Sequence, residues 1–256
     1  MGDRGFCDLS GQVAVVTGAG GGVGSGIAMQ FARAGASVVL HYRSSAKAAE
    51  AVWRQIVDAG GHAIVAQADI TDEASARSVI AEAVRAYGRV DALVNNAGVQ
   101  PVEPLEGMTA AAWHEVVDVN VMGTFIMTQA AAEAMRETGG SVTHIASIEG
   151  LHPADGHAHY CSSKAALIMH ARTASLEYGK YGIRVNSVSP GLIDREGLEE
   201  AWPEGVARYR ASAPLGRLGR STDIGNACVF LASSMAAWVT GTNLTVDGGV
   251  SNHPTW

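Results

Sequence analysis

A chain of 256 residues with 47% apolar and 17% charged side chains can bury one large core, and nowhere does it offer the roughly 18 consecutive apolar residues that a membrane span needs. Its 18 basic and 25 acidic residues leave a formal net charge of -7 with no Lys/Arg run, which excludes the electrostatic footprint of a nucleic-acid binder and leaves small molecules or further copies of the chain as partners. The three cysteines, Cys7, Cys161 and Cys228, are odd in number and lack a CxxC spacing, which argues against a disulfide framework and for a reducing, cytoplasmic setting.

In chain order, the first twelve residues carry Asp3, Arg4 and Asp8 where a signal peptide needs an apolar run, and Phe6 stands where a myristoylation signal after Gly2 needs Ser or Thr. Short runs rich in β-branched residues follow at Val13 to Thr17, Ser37 to His41, His62 to Gln67, Val90 to Val94, Ser141 to Ala146, Arg184 to Ser189 and Asn243 to Asp247, and they predict seven strands. Between them lie segments of helical apolar spacing, such as Val23, Ile27 and Phe31, or Val79, Ile80, Ala83, Val84 and Tyr87, several stopping at glycine (Gly35, Gly60, Gly88). Strand alternating with helix predicts an α/β fold: a parallel, doubly wound sheet of seven strands with helices on both faces and ligands outside the carboxyl ends of the strands. No linker or repeat divides the chain, so residues 1–256 are expected to form one domain. Residues 191–220, with Trp202, Pro203 and Pro214, are expected to be an irregular lid.

The first strand leads into Thr17-Gly18-Ala19-Gly20-Gly21-Gly22-Val23-Gly24. Gly18, Gly22 and Gly24 let the backbone turn sharply and approach a pyrophosphate, and the N-terminus of the following helix, from Val23, offers free N–H groups. With 31 glycines in the chain, a GxxxGxG match arises by chance about 0.45 times, so its placement between first strand and first helix carries the argument. Folds that bind NAD usually follow the second strand with an Asp or Glu for the ribose hydroxyls. Here the chain reads His41-Tyr42-Arg43-Ser44-Ser45 with no carboxylate from Ser37 to Lys47. Arg43 and Ser44 either bind a 2′-phosphate, which makes the cofactor NADP, or face solvent.

Ser147 follows the fifth strand, and Tyr160 and Lys164 stand four apart at the start of a helical segment. That spacing puts both on one helix face, where the ammonium is expected to lower the phenol's pKa from about 10. A phenol so tuned gives a proton to a carbonyl oxygen that the Ser147 hydroxyl polarises. A Tyr-x-x-x-Lys match arises by chance only about 0.07 times in a chain of this composition.

The order Thr17-Gly18-x-x-x-Gly22-x-Gly24, Asn95-Asn96-Ala97-Gly98, Asn120-Val121-x-Gly123, Ser147, Tyr160, Lys164 and Pro190-Gly191 resembles the short-chain dehydrogenase/reductase family over nearly the whole chain. The resemblance implies a Rossmann-type fold, a homotetramer, and Asn120, Ser147, Tyr160 and Lys164 as the catalytic set. Asn120 would hold a water that extends the proton path from Lys164, and Lys164 would also bind the nicotinamide ribose. Asp69 and Ile70 would flank the adenine, Asn96, Ala97 and Gly98 would line the cofactor cleft with Pro190 and Gly191 beyond them, and Ile193 would meet the carboxamide. Two positions depart from the family pattern. Arg195 replaces the usual Thr after Pro190-Gly191-Leu192-Ile193, reaching phosphates, an anionic substrate or solvent. Gly20 and Gly21 fill the region where some NADP-dependent members carry a basic residue.

His152, His157 and His159 form no metal-ligand pattern and the chemistry needs no metal; they line the substrate entrance or a surface loop. Glu149 is a pocket wall or a solvated charge, and residues 109–137, with Trp113, Val116, Val117 and Met127, are core and subunit interface. The expected activity is NADPH-dependent reduction of a ketone, against an NAD-linked secondary-alcohol dehydrogenase or a non-catalytic dinucleotide-binding module. Arg195, Trp202, Arg208 and Tyr209 suggest a planar or acidic substrate.

Overall fold

Each of the seven apolar runs becomes a strand within two residues of its expected bounds, and every pairing is parallel. The computed structural model describes residues 7–252; residues 1–6, on which the readings against a leader and a lipid anchor partly rest, lie outside them. The elements run β1 (Val13–Val16), α1 (Gly22–Arg33), β2 (Ser37–Tyr42), α2 (Ala46–Asp58), β3 (Ala63–Gln67), α3 (Glu73–Tyr87), β4 (Ala92–Asn95), α4 (Ala110–Val117), α5 (Gly123–Ala134), β5 (Gly140–Ile145), α6 (Ala158–Tyr178), β6 (Ile183–Pro190), α7 (Leu198–Ala201), α8 (Pro203–Ser212), α9 (Ser221–Ala232) and β7 (Asn243–Val246).

Alternation of side chains along the strands divides the core into two layers. Val13, Val15, Val39, Leu93, Val142 and Val185 point to one face, where α3, α5 and α6 cover them with Val79, Met127, Ala131 and Ala171. Ala14, Val16, Val38, Leu40, Val94 and Val188 point to the other, beneath Ile27 and Phe31 of α1, Ile56 of α2 and Ile224 and Leu231 of α9. Helix ends are marked by side chains where the sequence allows it: the Asp72 carboxylate accepts from the Ser75 N–H at 2.7 Å at the start of α3, and the Thr109 hydroxyl from the Ala112 N–H at 3.1 Å at the start of α4.

The strand order is β3-β2-β1-β4-β5-β6-β7. The chain builds outward from β1 to β3 and then returns to the far side of β1, so a crevice opens at the carboxyl ends of β1 and β4. Between α4 and α5, residues Asp118–Met122 form one wide helical turn.

Residues 191–220 differ from the irregular lid expected. They hold α7 and α8, closed at their base by a parallel bridge between Ile193 and Gly219. Leu198, Val206 and Leu218 form a small core there with Leu192 and Tyr209. The proline that marks a loop in sequence instead stands at the first position of α8, where its fixed φ suits a helix start and its missing N–H costs nothing.

Candidate active site

The crevice is built first by a network that shapes the glycine loop. The buried Thr17 hydroxyl accepts from the N–H groups of Asn96 at 2.9 Å and Ala97 at 3.0 Å. Asn96 Nδ2 returns bonds to the carbonyls of Thr17 at 2.9 Å and Gly18 at 3.1 Å. His41, buried at the end of β2, accepts the Gly18 N–H on Nδ1 at 3.2 Å and donates from Nε2 to the Ala68 carbonyl at 3.1 Å. Burial holds this imidazole below its ordinary pKa, which keeps the neutral tautomer that the two bonds require. In the sequence His41 had one faint signal, its position where a carboxylate is common.

The loop fits a dinucleotide by shape. Gly24 is buried, and a Cβ on it would lie 2.2 Å from the Gly18 carbonyl oxygen, so the first turn of α1 can close under the loop only without a side chain. The N-cap of α1, Gly21, supplies no side-chain bond and the first turn has no acid, so free N–H groups and the positive end of the helix face the crevice.

The crevice has a volume of about 760 Å³, within the range of small-molecule sites. Gly18, Gly22 and Val23 line it, together with Arg43, Asp69 and Ile70 and with Asn96, Ala97 and Gly98. Ser147, Tyr160 and Lys164 line it too, as do Pro190, Gly191, Ile193, Arg195 and Trp202. Asp69 is held below the usual carboxylate range by bonds from the Thr71 N–H and hydroxyl, with the charge of Arg43 adding. Three expected site residues are off the wall: Gly24 beneath the loop, exposed Ser44 beyond β2, and Asn120 buried behind it.

Along the crevice, β5 ends at Ile145 and Ser147 caps a short turn, its hydroxyl accepting the Glu149 N–H at 3.0 Å. That turn packs on α6 at Gly150, where a Cβ would lie 2.8 Å from the Lys164 carbonyl carbon; the close approach brings Ser147 to Tyr160. Lys164 is buried and donates from Nζ to the Ile145 carbonyl at 2.7 Å, and burial lowers it to about 8. Its Nζ stands 5.4 Å from the centre of the Tyr160 ring.

These contacts correct the expectation that Lys164 lowers the Tyr160 pKa. Burial pushes the phenol up to about 12; the Ser147 side chain works against that and the Glu149 carboxylate adds to it. Lys164 donates to the end of β5, and desolvation dominates the phenol. Asn120 is likewise committed: its Oδ1 accepts the Val99 N–H at 2.8 Å, and its Nδ2 donates to the Val99 carbonyl at 3.1 Å and the Ser163 hydroxyl at 3.0 Å.

The histidines ahead of Tyr160 diverge. His152 is exposed, His157 pairs with Glu149 at 2.7 Å, and buried His159 accepts the Tyr160 N–H at 2.9 Å. Among the described residues no group of three or more His, Cys, Asp or Glu side chains is placed to hold a metal ion. Of the residues expected to read a planar or acidic substrate, Tyr209 is engaged, its hydroxyl donating to the Asp247 carbonyl at 2.8 Å, and the Arg208 guanidinium lies 5.8 Å from the Trp202 ring centre.

A seven-stranded Rossmann-type sheet with a dinucleotide cradle at its switch point defines an NAD(P)-dependent oxidoreductase acting on a CH–OH/C=O pair. The chain belongs to the short-chain dehydrogenase/reductase family: residues 18–251 match the family model described as enoyl-(acyl carrier protein) reductase. It is 42% identical over 247 residues to an uncharacterized oxidoreductase of Methylorubrum extorquens, covering 94% of this chain and 98% of the relative. It is 36% identical to 3beta-hydroxysteroid dehydrogenase 1 of Eggerthella lenta, covering 97% of each. Its structure resembles a gluconate 5-dehydrogenase from Burkholderia cenocepacia in complex with NADP and tartrate, with a TM-score of 0.90 at 32% identity, over 97% of this chain and 98% of that one.

Proposed function

We propose that the protein is an NADPH-dependent ketone reductase in which Tyr160 donates the proton to the carbonyl oxygen and Ser147 holds that oxygen. The observation that carries this reading is the convergence of Ser147, Tyr160 and Lys164 on the crevice that the glycine loop also lines. NADPH, when bound, supplies the hydride. Tyr160 then gives up its proton, and the Lys164 ammonium, which keeps two N–H groups beyond its bond to the Ile145 carbonyl, restores it. A phenol raised to about 12 is fully protonated at neutral pH, the form a general acid needs. Turnover by Tyr160→Phe, argued below, is the test.

Arg43 supports the choice of NADPH, because it stands on the crevice wall at the end of β2 with no carboxylate nearby in sequence to reject a 2′-phosphate. Arg43→Ala removes a charge-assisted bond of about 1.5–3 kcal/mol. NADPH affinity is expected to fall about 10- to 100-fold while NADH affinity stays unchanged, as read by fluorescence titration with each cofactor. No loss for either would place Arg43 in solvent, and equal losses for both would put it on a part of the dinucleotide that the two share.

The lowered Lys164 sets a pH dependence. The ammonium that refills Tyr160 is present below about 8 and lost above it, so kcat/KM for ketone reduction is expected to be level through neutral pH and to fall about tenfold per unit above 8. A flat profile to pH 10 removes Lys164 from the proton path.

The names of the relatives favour a second reading, oxidation of a secondary alcohol on the same residues, since one is a hydroxysteroid dehydrogenase and another a gluconate dehydrogenase. Rates with NADPH, NADH and the two oxidised cofactors separate these readings. Exposed Phe125, Met169 and Leu176 on α5 and α6 support self-association, with the tetramer as the family expectation. No helix among the described residues is long and apolar enough to cross a membrane.

A further inference from the structure

Glu149 is a carboxylate that the proposed proton path does not use. It lines the crevice two residues past Ser147, with its side chain only 23% exposed. Its charge hinders ionisation of Tyr160, and partial burial costs it hydration.

The surroundings nevertheless hold this carboxylate in place. His157 Nδ1 donates to Oε2 at 2.7 Å, the Cys161 thiol approaches the same oxygen at 3.9 Å, and Gln100 Nε2 donates to Oε1 at 3.3 Å. The His157 ring has its other nitrogen buried without a partner among the described residues, so its hydrogen bonding is given to orienting Glu149. A carboxylate has about four acceptor positions; three are engaged, and the remaining one is on Oε1 at the crevice wall. A single acceptor position in the crevice that Tyr160 also lines suits one O–H. It suits an ammonium poorly, since that group brings three N–H donors to satisfy.

Resting on the reductase reading above, we infer that Glu149 is a specificity residue that accepts a hydrogen bond from a substrate hydroxyl one or two carbons from the reacting carbonyl. The substrate class is then a hydroxy ketone, or a diol in the oxidative direction, and His157 is the positioning residue. A site that presents a partly buried acceptor rejects analogues lacking the donor, because the acceptor is then left dry and unpaired.

The test compares 3-hydroxybutan-2-one and 4-hydroxybutan-2-one with butan-2-one, followed by NADPH oxidation. The wild type is expected to favour at least one hydroxy ketone by about tenfold or more in kcat/KM, mainly through KM. In Glu149→Ala that ratio should collapse to within about twofold of unity. His157→Ala should lower it, and His157→Asn, which keeps an N–H donor, should restore part of it. NADPH titration and thermal melting of each variant confirm that the crevice is folded. Equal use of all three ketones by the wild type, or a preference that survives in Glu149→Ala, overturns the inference and leaves the reductase reading standing. Preference for 1-aminopropan-2-one over both hydroxy ketones overturns the choice of hydroxyl. Failure to reduce any ketone with either cofactor, in a protein that binds NADPH, removes the reductase reading and this inference with it.

Discussion

Tyr160→Phe is expected to lower kcat for ketone reduction about a thousandfold, the size of a lost general acid, while leaving NADPH affinity within about twofold. The substitution removes one oxygen and keeps the ring that packs edge-on against His157 at 6.0 Å, so packing is preserved. The neighbours are partly engaged: one Lys164 N–H is held by the Ile145 carbonyl at 2.7 Å, and the Ser147 oxygen accepts the Glu149 N–H at 3.0 Å. Single-turnover measurement with bound NADPH separates the chemical step from product release. Undiminished turnover would sink the assignment of Tyr160. A wild type that binds NADPH and reduces nothing would point instead to a binding module.

Gly24→Ala is expected to raise the NADPH dissociation constant about a hundredfold or more and to lower stability by about 3 kcal/mol, the upper range for overpacking. The new methyl would lie 2.2 Å from the Gly18 carbonyl oxygen and 2.5 Å from Asn96 Nδ2. Neither atom is the free end of a flexible chain. Asn96 Nδ2 is bonded to the carbonyls of both Thr17 and Gly18, so the loop, the Thr17 network and the end of β4 must move together. For a chain of this length the loss corresponds to a melting temperature lower by about 6–10 °C. Gly21→Ala is the control, because its φ of -171° is ordinary extended backbone and nothing lies within 4 Å of a Cβ there. It should melt like the wild type. Normal melting and normal cofactor affinity in Gly24→Ala would mean that the cradle does not depend on this close approach.

The strands, the glycine cradle and the Tyr160–Lys164 pair were legible from the chain alone. Each rests on neighbours in sequence: alternating β-branched residues, glycines at fixed offsets, two side chains one helical turn apart. Helix in residues 191–220 was not legible, because a proline reads as a breaker until the bridge between Ile193 and Gly219 and the cluster of Leu198, Val206 and Leu218 show α8 starting on it. Only the tertiary structure decided that His41 braces the glycine loop, that Glu149 is held by His157, and that Lys164 bonds to β5. These contacts join residues 8 to 27 positions apart, and no local period encodes them.

Tyr160 shows the division most clearly. Its helix face and its lysine neighbour follow from the four-residue spacing, which the 3.6-residue helical turn sets. Its acidity follows from how much water the folded crevice excludes and which charges it gathers around the phenol. Spacing along a helix is a property of the chain, whereas desolvation exists only once distant segments have packed together.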